Sequence, residues 1–471
     1  MAKSGMEYSI PPYTSAHATC RLRSAVLHRD SHYVPKKAVG GKGSYIFLED
    51  GTEFLDSTGG AAVACLGHGN ERVKQAIKDQ MDQISYCHSG LFGTGAAEEL
   101  AHLLVDSTGG KLSKLFVVSS GSEAVEGALK LARQYFLELP DPQPHRTRFI
   151  ARLPSYHGTT LGALGVGGHV LRREPFEPLL AKNTSHVSPC NAYRDKRQSE
   201  SDASYVARLA AELEAEFQRV GPETVCAFIA EPVVGAALGC VPAVPGYFPA
   251  MKLICEKYGA LLILDEIMSG MGRCGTLHAW EQEDVIPDIQ TIGKGLGGGY
   301  APVSGILIND SIVQVLDKGT GVFRHGQTYQ GHPVSCAAAL AVQRTVQEQS
   351  LLENVRNMGA YLERQLRYRL GDHPHVGDIR GKGLFWGIEF VKDKSTKEPF
   401  DSITRFSFLI QEKGLSSEHA LSLYGSPGTV DGVRGDHVII SPPFTVSKEE
   451  IDLIVDGAAN VLAEVLNDLG L

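Results

Sequence analysis

The chain has 471 residues, 43% of them hydrophobic and 21% charged, with a net charge of −9 and a pI of about 6.0. Such a chain suits a globular protein of two to three domains, at roughly 150 residues each, and its acidic balance argues against nucleic acid or an anionic membrane as partner. No apolar run approaches the ~18 residues of a membrane span, the nine cysteines form neither a CxxC nor a Cys/His zinc pattern, so no metal is expected, and the N-terminus carries no signal or transit pattern, so a reducing cytoplasm is the expected compartment.

Residues 45–56 predict a β-hairpin, with two apolar arms around an Asp50-Gly51 turn. Helical periodicity follows over 71–83, then a short apolar strand over 115–118 and a helix over 122–136 that gathers Val125, Ala128, Leu129, Ala132 and Phe136 on one face. Further apolar runs at 148–151, 225–229, 260–264, 288–292 and 303–308 predict strands of a mostly parallel sheet covered on both faces. The polar stretch 186–204 is expected to be a surface loop. A long helix is expected after His332-Pro333, strands over 383–390 and 437–440, and a final helix opened by the capping box Ser447-Lys448-Glu449-Glu450.

Several junctions carry chemistry. Ser119-Ser120-Gly121-Ser122-Glu123 joins a strand to a helix, where free N–H groups and the helix dipole favour an anion and Ser122 adds a hydroxyl; a plain N-cap is the other reading. Tyr156-His157-Gly158 follows a strand and sets two aromatic rings at that edge, or packs a loop. Asp265 ends an apolar strand, at the edge where open α/β sheets bind ligands, or serves as a cap or ion pair. Asp265 precedes Lys294 by 29 residues, enough for one crossover and the next strand.

Lys294 lies in Gly293-Lys294-Gly295-Leu296-Gly297-Gly298-Gly299, where the glycines are expected to admit a bulky group close to the backbone. A desolvated lysine there loses its proton near neutral pH and attacks a carbonyl, forming a Schiff base. The segment is not a phosphate-binding GxxxxGK[ST] loop, because Gly295 follows the lysine, and, read from Gly295, it has Tyr300 where a dinucleotide fingerprint needs its third glycine. The loop His325-Gly326-Gln327-Thr328-Tyr329 offers a second phosphate contact or a simple turn. A phosphate cradle, a stacking aromatic, a strand-end carboxylate and a buried lysine together match the needs of pyridoxal 5′-phosphate.

With Ser120-Gly121-Ser122-Glu123-Ala124, Tyr156-His157-Gly158, Glu231-Pro232, Leu264-Asp265-Glu266, Gly272-Arg273, the Lys294 segment, His325-Gly326-Gln327-Thr328 and Gly331-His332-Pro333 in this order, the chain resembles the class III aminotransferases. That is the ω-amino acid, 4-aminobutyrate and ornithine transaminase group of fold type I, and the resemblance runs from about residue 20 to the C-terminus. It implies an α/β fold with a large seven-stranded, mostly parallel domain over 71–333. A smaller α+β domain would come from both termini, 1–70 and 334–471.

The resemblance implies that Lys294 holds the cofactor aldehyde and shuttles the proton, and that Asp265 pairs with the pyridinium nitrogen. Gly121 and Ser122 would hold the phosphate, Tyr156 and Ile267 the two ring faces, with His157 and Glu231 beside the cofactor. Thr328 would reach the phosphate of a neighbouring subunit, so a homodimer with shared sites is expected. The implied activity is ping-pong transfer of an amino group from an amine, ω-amino acid or amino acid to pyruvate or 2-oxoglutarate. The alternative is a racemase, aminomutase, decarboxylase or phospholyase on the same fold.

The chain departs from many relatives in having no arginine in the stretch 437–444. The nearest, Arg434 in a glycine-rich loop, is the expected carboxylate switch, or a solvated loop residue. Phe92 and Tyr13 are expected by family analogy to line the substrate pocket.

Overall fold

The computed structural model describes residues 24–30 and 33–471. The described chain opens with three antiparallel strands, β1 (Ala38–Lys42), β2 (Tyr45–Leu48) and β3 (Glu53–Leu55). The expected hairpin is β2–β3. Its turn needs Gly51, whose φ of +86° lies where side-chain-bearing residues are strained.

Seven strands form the central sheet: β4 (Lys114–Val118), β5 (Arg148–Arg152), β6 (Thr184–Val187), β7 (Val225–Ala230), then, after the two-residue pair β8 (Val233–Val234) and β9 (Val241–Pro242), β10 (Leu261–Asp265), β11 (Ile289–Ile292) and β12 (Ser304–Ile308). Their order is β4-β12-β11-β10-β7-β5-β6, and β12 alone runs against the others. The period of two sorts side chains between two cores. Ala227, Ile229, Leu261 and Ile263 pack under the helix Gly121–Glu138, while Phe228, Ala230, Leu262 and Leu264 pack under the helices Asp202–Val220 and Tyr247–Lys257. Burial on both faces explains why these strands read as unbroken apolar runs.

The rest of the chain adds a four-stranded antiparallel sheet of β13 (Val376–Lys382), β14 (Phe385–Phe390), β15 (Tyr424–Pro427) and β16 (Asp436–Ile440), ordered β13-β14-β16-β15. The helices Pro333–Glu348, Leu351–Leu370 and Lys448–Asp468 pack with it, the last opened by the expected capping box of Ser447 and Glu450. Leu55, Cys65 and Leu66 share its apolar core, and Leu55 forms a parallel bridge to Leu421.

Two expectations need correction. The strand over 383–390 begins only at Phe385, because Gly383, at φ +57°, turns the chain out of β13. The loop over 186–204 starts inside β6, buries Cys190 and Asn191, coils into the short helix Ala192–Asp195 and ends in the helix that begins at Asp202. Its polarity serves an internal ion cluster. Arg194 donates Nε and Nη2 to Glu389 Oε1, the Nε contact at 2.7 Å, and Arg380 Nη1 reaches Glu389 Oε2 at 2.5 Å. Glu389 is fully buried on β14, so it ties the central domain to the second sheet. Glu389→Ala is expected to lose about 3–5 kcal/mol by leaving Arg194 without its counter-charge and Arg380 with Asp378 alone. Urea unfolding read by fluorescence checks this; an unchanged midpoint would show that the two arginines find other acceptors.

Candidate active site

The sheet topology carries separate motifs to one edge. Each parallel strand ends there, and the segments leaving β4, β5, β7, β10 and β11 contribute Gly121 and Ser122, Tyr156 and His157, Glu231, Ile267 and Lys294 in turn, with Asp265 as the last residue of β10. They line one cavity of about 180 Å³, together with Ser120, Gly158 and Met268. A larger cavity of about 900 Å³ lies between the helices Glu71–Gln83 and Pro333–Glu348 and contains Phe92. None of Lys294, Asp265, Gly121 and Ser122 lines it, so the smaller cavity is the candidate site.

Asp265 is 4% exposed, and its carboxylate is held from three directions. The imidazole of His157 donates from Nδ1 to Oδ2 at 2.7 Å, and Oδ1 accepts from the Thr291 hydroxyl and the Ile267 N–H, both at 3.1 Å. Such donors fix the direction in which the carboxylate points. His157 therefore acts on Asp265 rather than offering a ring face, a correction to its reading as a second aromatic platform. Its Nε2 is buried without a protein partner.

Lys294 starts the single turn Lys294–Leu296 after β11, and its φ is +44°. A non-glycine residue held in that region is costly and persists where the surroundings over-determine it. Burial pushes its pKa below the ordinary lysine value, against the attraction of Asp265 and Glu231 and with help from Arg172. The glycines around it serve packing. A Cβ on Gly293 would collide with the Ser304 hydroxyl, one on Gly297 would lie 2.6 Å from Val303, and one on Gly298 would crowd Cys65 and Val342. Gln343 Nε2 also pins the carbonyls of Gly295 and Leu296, both at 2.9 Å. The expected role of the run in admitting a cofactor is thus replaced by close packing of the β11–β12 turn against its neighbours.

Glu231 is 4% exposed, with Oε1 accepting from the Tyr156 N–H at 3.0 Å and Oε2 from the Gly235 N–H at 3.1 Å. Burial raises its pKa, His157 opposes the rise, and Asp265 adds to it. The Tyr156 N–H bond to Glu231 fixes the backbone beneath that ring.

At the other end of the cavity, Ser120 caps the helix Gly121–Glu138 in a reciprocal box with Glu123. The capping role therefore falls to Ser120 and frees Ser122, whose Oγ accepts from the Thr159 N–H at 3.0 Å. Among the described residues, the N–H groups of Gly121 and Ser122 have no protein acceptor. A Cβ on Gly121 would lie 2.9 Å from Ile267 Cδ1, and one on Gly158 would lie 2.6 Å from Ser122 Oγ. Both absent methyl groups keep this end of the cavity open.

Three expected site residues are not brought here. Thr328 is exposed and accepts a hydrogen bond from the Tyr86 hydroxyl through its carbonyl at 3.0 Å. Phe92 is exposed on the wall of the larger cavity. Arg434 is exposed and paired with Asp431, Nε to Oδ2 at 2.7 Å. Tyr13 lies outside the described residues. Thr291 was missed, although a threonine next to the last residue of an apolar strand was a usable signal. Arg172, whose guanidinium lies 4.6 Å from the Tyr156 ring centroid, had none.

These residues fit pyridoxal 5′-phosphate. The free N–H groups of Gly121 and Ser122 suit its phosphate, the fixed carboxylate of Asp265 suits a pyridinium nitrogen, and Lys294 suits its aldehyde. Comparison with known proteins points the same way. The aminotransferase class-III family profile matches residues 26–462. An aminotransferase of Gibberella zeae is 53% identical over 422 residues, 89% of this chain and 82% of that protein. An uncharacterized aminotransferase of Schizosaccharomyces pombe is 47% identical over 96% of this chain and 98% of its own length. The crystal structure of an (S)-enantioselective omega-transaminase from Thermomicrobium roseum superposes with a TM-score of 0.85 at 35% identity, covering 92% of this chain and 93% of that one.

Proposed function

The chain belongs to the class III aminotransferases, which work with pyridoxal 5′-phosphate, and we propose that it moves an amino group from an amine, ω-amino acid or amino acid to pyruvate or 2-oxoglutarate by a ping-pong mechanism. The observation that carries this reading is the placement of Lys294, desolvated and in a strained backbone, on the same cavity wall as Asp265. The cofactor, when bound, supplies the electron sink that makes a carbon–hydrogen bond next to nitrogen acidic.

Lys294 would take and return that proton, a role for which a lowered pKa leaves more of the amine free at neutral pH. Asp265, aimed by His157 and Thr291, would pair with the pyridine nitrogen of the bound cofactor. Gly121 and Ser122 would anchor the phosphate, and Tyr156 and Ile267 would confine the ring. Glu231 carries its raised pKa beside the substrate. Racemase, decarboxylase and phospholyase readings are not favoured by these relatives.

The working unit in this reading is a homodimer in which Thr328 of one protomer completes the phosphate site of the other. The exposure of Thr328, next to the exposed Tyr329 and bonded through its carbonyl to the exposed Tyr86, supports it. Among the described residues no helix is long and apolar enough to cross a membrane, and eight cysteines are free thiols, which supports a reducing cytoplasmic setting.

An amine panel with pyruvate and with 2-oxoglutarate tests the reading. Parallel double-reciprocal lines and one nitrogen transferred per acceptor consumed are expected. Intersecting lines, or racemisation without an acceptor, would overturn it.

A further inference from the structure

We infer that Arg172 is the specificity-determining residue that receives the substrate carboxylate, parked against the Tyr156 ring when the substrate has none. The inference rests on the transaminase reading. Arg172 sits on the short helix Val170–Arg173, and its guanidinium carbon lies 4.6 Å from the centroid of the Tyr156 ring, which itself lines the cavity. Its charge is felt inside: it lowers the pKa of Lys294, and it opposes the rise that burial imposes on Tyr156.

Three other arginines nearby are already committed, and Arg29, whose charge also reaches Tyr156, is exposed near the start of the described chain. Arg173 donates to the carbonyls of Leu164, Gly165 and Gly167 and to Glu177, which anchors the helix that presents Arg172. Arg152 is buried and bonded to the Glu231 carbonyl, and Arg434 is paired with Asp431. Among the described residues no carboxylate is paired with Arg172, and it is only partly buried. The acids of the cavity do not neutralise it either. Asp265 is held by His157, and Glu231 is bound by two backbone N–H groups.

A guanidinium fork matches a carboxylate bidentately, and an aromatic face is an acceptable resting place for the same group. One side chain therefore accommodates both substrate classes of a ping-pong transaminase. A 2-oxo acid draws Arg172 onto its carboxylate, and an apolar amine leaves it stacked on Tyr156.

The test uses the cofactor-loaded enzyme and measures the two half-reactions separately, with 1-phenylethylamine as the uncharged donor and 2-oxoglutarate as the acid. Binding of glutarate, an unreactive dicarboxylate, is measured by calorimetry. Arg172→Ala is expected to raise the KM for 2-oxoglutarate and the Kd for glutarate by about 10- to 100-fold, the range of charge-assisted hydrogen bonds. The amine half-reaction should change less than about threefold, since no carboxylate is involved. Arg172→Lys, which keeps the charge and loses the fork, should recover part of the binding. The proposal is overturned if Arg434→Ala carries the loss instead, or if glutarate binds Arg172→Ala normally. An equal fall in amine kcat would also overturn it, by showing that Arg172 only orders Tyr156. If the unsubstituted enzyme fails in both half-reactions, the transaminase reading itself falls; a normal amine half-reaction with unaltered acid KM in Arg172→Ala counts against Arg172 alone.

Discussion

Lys294→Ala is expected to lower amine turnover by at least about 10⁴-fold, because one substitution removes both the covalent anchor and the proton carrier. The substitution leaves the surrounding packing intact, since the turn is held by Gln343 on the carbonyls of Gly295 and Leu296 and by the crowding of Gly297 and Gly298. Single-turnover kinetics with 1-phenylethylamine, alongside circular dichroism to confirm folding, make the measurement. A folded variant that keeps more than about one part in a hundred of the rate would remove Lys294 from the chemistry. In the intact enzyme the sign of the pH dependence follows from burial. The Lys294 pKa is pushed down, so the rate rises with pH as the amine is freed, through a midpoint below that of a solvent-exposed lysine.

Asp265→Asn is expected to be the second most severe change, slowing the amine half-reaction by about 10²- to 10³-fold, the scale of losing one preorganised electrostatic contact. Asparagine keeps the shape of the side chain and removes its charge. It also sets an amide group against His157 Nδ1 and the Thr291 hydroxyl, which both face the carboxylate. The effect should appear in the rate of the chemical step more than in the KM of the amine, because the charge opposes a nitrogen of the cofactor and not a substrate group. Stopped-flow traces across amine concentration separate the two. A raised KM with an unchanged limiting rate would place Asp265 in substrate binding.

Legibility in the sequence followed the physics of each element. Apolar strands such as Val225–Ala230 and Leu261–Asp265 were read because both faces are buried, so the run is unbroken. The capping box of Ser447 and Glu450 and the Asp50-Gly51 turn were read because their partners lie close in the chain. Failures came where the partner is remote. Arg194 looked like loop polarity, yet its carboxylate is on β14, 195 residues away. His157 looked like an aromatic platform, and its true partner Asp265 is 108 residues on. The glycines beside Lys294 were adjacent to it in the chain and so were assigned to the cofactor, while their contacts are Ser304, Val303, Cys65 and Val342.

The sequence by itself determined the family and the cofactor and picked out Lys294 and Asp265 as candidates, because the order of short motifs along one chain is a one-dimensional record of which strand ends carry chemistry. Only the tertiary structure decided how those groups are tuned. The hydrogen bonds on Asp265, the release of Ser122 from capping, the pairing of Arg434 with Asp431 and the placing of Arg172 on Tyr156 all depend on distances between segments far apart in the chain. Charge and hydrogen-bond energies fall off over a few ångströms, and spacing along the sequence does not report such distances until the sheet has brought the strand ends together.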